Sequence, residues 1–381
     1  MASQPERADA HDDGLGPLLR ASAAELVRRR LGVTRIRGLR DREPGFDLAV
    51  WREMAVAGWH RAVLPVEAGG LGLGFADLAA ISEEIGRGLM PEPFAAFGVL
   101  TGAILAASDN PAARTRLLPD LVEGRILATV AWQDGSEQCD PGGTGMIALA
   151  QDGSHCLRGM RFYIPAAAAA DAFVVSAALD GGIGLFWVPR GAPGMSLRTV
   201  PAVDGGSIGT LECRDVAVAT EDMIASPAVG ADILAQALDA ARLAASAELL
   251  GIGRGAFDMT LAYAKQREQF GRPIGSFQSL QHRLVDLWIQ LQLAASSVGS
   301  AAATFDSSGN RARAAAAAKA RCSHAAELVT RQSIQLHGGI GYADECDIGL
   351  FLKRATVMSA WLGNTRQQRR RLIGMTDAQG R

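Results

Sequence analysis

Residues 231–266 carry one unbroken apolar pattern of helical period. A helix that long buries its apolar face only against other long helices, and the chain supplies them. Residues 277–305, 311–336 and about 347–373 read as three more, with Gly338-Gly339 stopping the third. Alanine is dense here, including 314–318, and small residues let helices approach closely. Residues 229–381 are therefore expected to form a C-terminal four-helix bundle domain.

The rest of the chain has two other textures. Up to about residue 118 it reads helical. Leu15, Leu18, Leu19, Leu26 and Val27, with Ala23 between them, begin an amphipathic pattern. A second helix is expected over 47–57, stopped by Gly58, and the turn-rich segment 64–72 admits none. Residues 75–87 are helical again, and after Met90-Pro91-Glu92-Pro93 another helix runs to about Leu105. Between 119 and 228 the period changes. Residues 126–132, 146–151, 156–164, 172–178, 183–189, 196–200 and 210–216 read as short strands, separated by turns such as Asp180-Gly181-Gly182 and Asp204-Gly205-Gly206. That spacing predicts a small β barrel or sandwich. The expected fold is α+β: an N-terminal helical domain over 1–118, a central β barrel over 119–228 and the helical bundle over 229–381.

Composition narrows the function classes. A formal net charge of −2 gives no basic surface for nucleic acid or an anionic membrane. Residues 1–14 are polar, with Asp9, Asp12 and Asp13, unlike a secretory signal, and no apolar run reaches the roughly 20 residues of a membrane span. The five cysteines include no CxxC pair, so zinc and a disulfide framework are not expected. Unpaired thiols in a reducing cytoplasm are, and no metal site is.

Two stretches carry chemistry. The first is Tyr263-Ala264-Lys265-Gln266-Arg267-Glu268-Gln269-Phe270-Gly271-Arg272-Pro273, followed by Ser276-Phe277-Gln278. A dinucleotide needs a cation for its pyrophosphate and a flat apolar surface for its adenine, and Arg267 and Phe270 are of those two types. They equally suit a charged helix end with a packed aromatic. The second stretch is Gln335-Leu336-His337-Gly338-Gly339-Ile340-Gly341-Tyr342. Paired glycines after a helix expose backbone amides to a ligand, or simply cap the helix.

In this order, about 60 residues apart and on long helices, the two stretches resemble the C-terminal half of the acyl-CoA dehydrogenase family of flavoproteins. The succession of helices, β domain and helices is similar to that family over nearly the whole chain. The resemblance implies FAD as cofactor, with Arg267, Phe270 and Gln278 reaching it across a subunit interface. It implies that Gln335, His337, Gly338 and Gly339 contact its adenine and pyrophosphate. In the β domain the chain departs from the family. The Thr-Glu-Pro and Gly-Ser-Asp that grip the flavin are replaced by Ala131-Trp132-Gln133-Asp134-Gly135-Ser136-Glu137, where Trp132 and Gln133 are the residues left to face the ring system. Arg161-Phe162-Tyr163-Ile164 resembles a later flavin-facing strand, again altered.

The family's reaction needs a carboxylate in a water-poor place to take the proton alpha to a thioester. Many members place a glutamate before Gly-Thr near the end of the chain, but here Trp361-Leu362-Gly363-Asn364-Thr365 holds no acid. Glu248 occupies another family position on the long helix, with Ala244, Ala245, Gly251 and Ile252 as its helical neighbours. It reads as the catalytic base, as a partly exposed carboxylate, or as one paired with a more distant residue such as Arg242 or Arg283. Asp344 and Glu345 read better as helix N-terminal acids than as a base. Within the family the chain is most similar to small or beta subunits of heteromeric enzymes, of the pimeloyl-CoA or steroid side-chain type.

The function so implied is FAD-dependent α,β-dehydrogenation of an acyl-CoA, possibly by one subunit of a heteromer. An electron-transfer flavoprotein or similar acceptor would reoxidise the cofactor. Two alternatives stay open: a non-catalytic subunit completing another chain's FAD site, and a flavin monooxygenase or oxidase on the same fold. The partners implied are an acyl-CoA and further copies of this chain or another dehydrogenase subunit. The departures in the β domain suggest a bulky, branched or dicarboxylic acyl group.

Overall fold

The computed structural model describes residues 14–30, 33–143, 145–151, 153–307 and 309–379. The acidic start with Asp9, Asp12 and Asp13 lies outside them. The N-terminal helices are α1 (Leu15–Arg30), α2 (Val33–Leu39), α3 (Leu48–Val56), α4 (Phe75–Arg87), α5 (Gly102–Ala106) and α6 (Pro111–Val122). Asp47 caps α3 through the Ala49 amide, and Gly58 ends that region in the left-handed conformation. The helix expected to run to about Leu105 is split: Phe94–Thr101 is wound as a π-helix, and only then does α5 follow. α6 was not foreseen, and it runs through residue 118.

The central sheet holds β1 (Ala128–Ala131), β2 (Met146–Gln151), β3 (Ser154–Pro165), β4 (Ala172–Leu179), β5 (Gly182–Pro189), β6 (Met195–Pro201), β7 (Ser207–Ala219) and β8 (Met223–Ala225). Its order is β6-β7-β3-β2-β4-β5-β8, with β1 pairing parallel to β4. The ladder ends at β6 and β8, so the described residues form a sheet and not the closed barrel expected. β8 was missed because three residues are too few to show a period.

The C-terminal domain contains α7 (Gly230–Gln266), a two-stranded hairpin of β9 (Glu268–Gln269) and β10 (Arg272–Pro273), α8 (Gln278–Phe305), α9 (Arg311–His337), α10 (Ile348–Ala360) and α11 (Thr365–Gln379). The single last helix expected over 347–373 is thus two. Leu362 (φ 59°) and Gly363 (φ 96°) turn the chain left-handed between them, a conformation no helix accommodates. The buried Lys319 holds this break by donating to the Ser359 carbonyl at 3.0 Å and the Gly363 carbonyl at 3.2 Å. One apolar core joins α1, α3 and α4 to one side of the sheet and to α7–α10, and a second fills the space between α6, β1, β5 and the start of α7. No described helix is long and apolar enough to cross a membrane.

Candidate active site

The packing of α4 against α7 sets the position of Glu248. Gly86 lies directly against the Glu248 carbonyl and Gly251 against that of Glu83, so the two backbones meet with no side chain between them. Glu248 is buried, with only 3% of its surface exposed. Its partner is neither Arg242 nor Arg283, the distant candidates from sequence, but Arg354 of α10. Arg354 Nε and Nη2 donate to Glu248 Oε1 at 2.9 and 2.6 Å. Arg242 is instead taken by Asp239 at 2.6 Å and by the Cys139 carbonyl. Burial pushes the Glu248 carboxyl above its ordinary range, against the pull of the Arg354 guanidinium. No described residue donates to Oε2.

Glu248 and Arg354 open onto a cavity of about 540 Å³ between the three regions of the chain. Phe46 comes from the bend before α3, Phe94 from the start of the π-helix, Gln133 and Tyr163 from the sheet region, Asp204 from the β6–β7 turn, and Trp361 and Asn364 from the break after α10. Such a volume, largely apolar with few polar groups, suits a small-molecule site. The sequence segment without an acid, 361–365, therefore borders the same cavity as Glu248. Asn364 there is occupied with capping α11: its Oδ1 accepts from the Gln367 amide at 3.0 Å, while Gln367 Oε1 accepts from the Asn364 amide at 2.8 Å.

The altered β-domain loop is held in place from α11. Gln367 Nε2 donates to the Ser136 carbonyl at 2.8 Å, and Arg371 Nε to Asp140 at 2.7 Å. Within the loop, Asp134 pairs with the buried Arg161, and the Gln133 side chain donates to the Gln138 carbonyl at 3.0 Å. Gln133 reaches the cavity wall, but Trp132 does not: it is 3% exposed and packs in the second core against β4 and β5. Strand alternation accounts for this, since neighbouring residues at the end of β1 point to opposite faces.

The two motif stretches form a separate surface. Phe270 (φ 54°) and Gly271 (φ 78°) make the tight turn between β9 and β10, and Phe270 is 92% exposed. Arg267 and Gln278 flank it, both exposed, and no described acid pairs with Arg267. Gln335 and Gly339 are exposed, and Gly338 (φ 69°) and Gly339 face open space where a side chain would stand. Tyr263 brings the stretches together by stacking on His337, which is itself buried. A cation without an acid, an exposed ring and an open glycine backbone fit the phosphates and adenine of a dinucleotide.

Sequence reasoning did not single out Arg354 or Asp204 as site residues. They lie 106 and 44 positions from Glu248, a spacing that no helical or strand period connects. Asp344 also has a role unlike the one expected. It holds Arg37 at 2.9 Å and Arg40 at 2.8 Å, fastening α2 to the C-terminal domain. The hydrogen bonds from Arg40 keep its carboxyl well below the usual range.

Comparison with known proteins agrees with this architecture. Residues 17–125 match the acyl-CoA dehydrogenase N-terminal domain and 229–375 the acyl-CoA dehydrogenase C-terminal domain. The chain is 32% identical over 356 residues to the acyl-CoA dehydrogenase IpdE2 of Mycolicibacterium smegmatis, covering 93% of this chain and 96% of that one. A variant of the steroid ACAD Tcur3481-Tcur3483 superposes with a TM-score of 0.85 at 30% identity, over 97% of this chain and 98% of the other. The ChsE4-ChsE5 complex of Mycobacterium tuberculosis gives 0.86 at 27% identity, over 96% and 97%. The chain belongs to the acyl-CoA dehydrogenase family. It is an FAD-dependent oxidoreductase acting on the CH–CH bond of acyl-CoA thioesters.

Proposed function

We propose that this chain dehydrogenates a bulky acyl-CoA as one subunit of a heteromeric enzyme, with Glu248 as the base. The observation that carries the reading is the position of Glu248: buried, on the cavity wall, with Oε1 taken by Arg354 and Oε2 left for a substrate proton. Glu248 accepts the α proton of the thioester on Oε2, and the apolar walls around Phe46, Phe94 and Trp361 exclude water from the exchange. FAD supplies the acceptor for the β hydride when bound. Gln133 and Tyr163 border the cavity on the side of the sheet and are the residues offered to the flavin end.

Arg267, Phe270, Gln278, Gln335, His337, Gly338 and Gly339 hold the adenine and phosphates of a cofactor. Arg267 lies about 28 Å along α7 from Glu248 at 1.5 Å per residue, which supports its serving the cofactor of a neighbouring subunit. An electron-transfer flavoprotein or similar acceptor would be the partner that reoxidises such a cofactor. The size of the cavity and the steroid enzyme among the similar structures support a ring-bearing acyl group. Five free thiols support a reducing, cytoplasmic setting.

The test is to purify the chain alone and with a co-expressed dehydrogenase subunit, measure FAD per chain and native mass, and assay Glu248→Gln. Full FAD loading only with the partner is expected, with activity in E248Q lower by roughly 10²–10⁴-fold at unchanged flavin content. An active E248Q would move the catalytic base to the partner chain.

A further inference from the structure

The guanidinium of Arg354 does not meet Glu248 in the usual way. A fork that binds a carboxylate end-on occupies both of its oxygens. Here Nε and Nη2 converge on Oε1 alone, at 2.9 and 2.6 Å. The remaining nitrogen, Nη1, is taken by Asp204 Oδ2 at 2.9 Å. Side-chain exposures of 5% for Asp204, 4% for Glu248 and 18% for Arg354 place all three groups away from bulk water. All three border the cavity.

Asp204 is itself fixed. It sits in the β6–β7 turn, where its Oδ1 accepts from the Gly206 amide at 3.1 Å and the turn closes by the Ala202 amide on the Gly206 carbonyl at 2.8 Å. Gly205 (φ 90°) packs against Arg40, so the N-terminal region backs the turn. The three residues thus come from the central sheet, α7 and α10, and they carry two negative charges and one positive. Burying an excess carboxylate is costly unless it has a task.

We propose that Asp204 and Arg354 are positioning residues for the dehydrogenation: Asp204 anchors the Arg354 fork so that it grips only Oε1 of Glu248 and leaves Oε2 to take the substrate proton. The proposal rests on Glu248 being the base. Apart from Glu84 on α4, the other charged groups near Glu248 are engaged elsewhere. On α4, Glu83 pairs with Arg254 and Arg87 with Asp258, and burial raises the carboxyl of half-buried Glu84. On α10, Lys353 reaches Asp344; on α9, Lys319 is held by Ser323 and two carbonyls and Glu327 by Arg331; across the cavity, Glu137 is held by Arg366 and Arg370. That leaves Arg354, which favours the ionised form of Glu248, and Asp204, which opposes it.

These opposed influences give a test that a merely structural ion pair would fail. Asp204→Asn removes the opposing charge and keeps an acceptor for Nη1. Arg354→Gln removes the favouring charge. Both are made in the assembled, FAD-loaded enzyme. The protonated-carboxyl infrared band absent from E248Q is titrated, and kcat/KM for a steroid side-chain acyl-CoA is followed against pH. D204N is expected to move the infrared midpoint and the acid limb of the rate profile down by about one pH unit, and R354Q to move both up by at least as much. Opposite shifts, matched in the two readouts, support the proposal. An inactive E248Q with neither limb moved overturns it and leaves the base reading standing. An active E248Q overturns the base reading and the proposal with it, whatever the infrared midpoints do. Should R354Q lose FAD or its cooperative melt, D204N decides alone: a downward shift supports the proposal, and an unmoved or upward limb overturns it.

Discussion

Tyr263 lies flat on His337, with ring centroids 4.4 Å apart and planes inclined by 19°. The tyrosine hydroxyl donates to the His337 carbonyl at 3.4 Å, and His337 Nδ1 donates to the Ser333 carbonyl at 2.8 Å. The last turn of α7 is thereby tied to the last turn of α9, and the Arg267 hairpin is held beside the Gly338-Gly339 turn. Tyr263→Leu removes the stack. It is expected to cost about 0.5–1.5 kcal/mol of stability and to weaken FAD retention, because the two halves of the surface lose their common register. Denaturant titration and flavin content after gel filtration measure the two effects separately.

Phe270 and Arg267 contribute little to the chain's own packing. The Phe270 ring is 92% exposed and meets the Phe277 ring edge-on at 6.2 Å, so Phe270→Ala should lower the melt of the isolated chain only slightly. If the pair holds a cofactor, Arg267→Ala gives up a charge-assisted contact of about 1.5–3 kcal/mol, roughly ten- to hundredfold in FAD affinity. Fluorescence of released FAD on dilution of the assembled enzyme is the measurement. Unchanged retention in both variants would remove this surface from the cofactor site.

The contact between α4 and α7 gives a sharper structural test. A methyl group at Gly86 would run into the Glu248 carbonyl, with backbone on both sides and no flexible side chain to yield. Gly86→Ala should therefore push the helices apart, costing about 1–3 kcal/mol, and should lower kcat by moving Glu248 relative to the cavity. A variant with full stability and full kcat would mean that the crossing is looser than the structure describes.

Regular periods made much of this molecule legible in the sequence. α4 and β2 have the limits expected from the sequence, and α8 and α9 differ from expectation by one residue each. Local chemistry was legible too, as in the Gly338 stop and the Phe270-Gly271 turn. Contacts between distant segments were not. Nothing near Glu248 announces Arg354, and Asp204 reads as an ordinary turn aspartate until the turn is brought against α10. Trp132 and Gln133 looked equivalent in the sequence, and only the facing of β1 separates a core tryptophan from a cavity glutamine. The break at Leu362-Gly363 did carry a local signal, Gly363 followed by Asn364 and Thr365 before the polar run 366–371, and one helix over 347–373 passes over it; Lys319, from another helix, fixes it.

His60 couples the N-terminal core to pH. It is 3% exposed, its ring 4.0 Å from that of Trp51 and 6.2 Å from that of Phe94, and burial lowers its pKa from 6.5 to about 3. Between those two values the unfolded chain binds a proton at this residue and the folded chain does not. Stability therefore rises with pH across that window and is lost as pH falls through it, which is the opposite of a histidine held by a carboxylate. His60→Phe keeps an aromatic ring in the cluster and removes the titration. Its unfolding free energy should fall less than that of the unchanged chain between pH 6.5 and pH 4, with the two curves parallel above pH 7.5. Urea midpoints taken at half-unit pH steps would show this. Curves that stay parallel down to pH 4 would mean that the folded protein admits the charge, and that water reaches His60 between α3 and the Phe94–Thr101 π-helix.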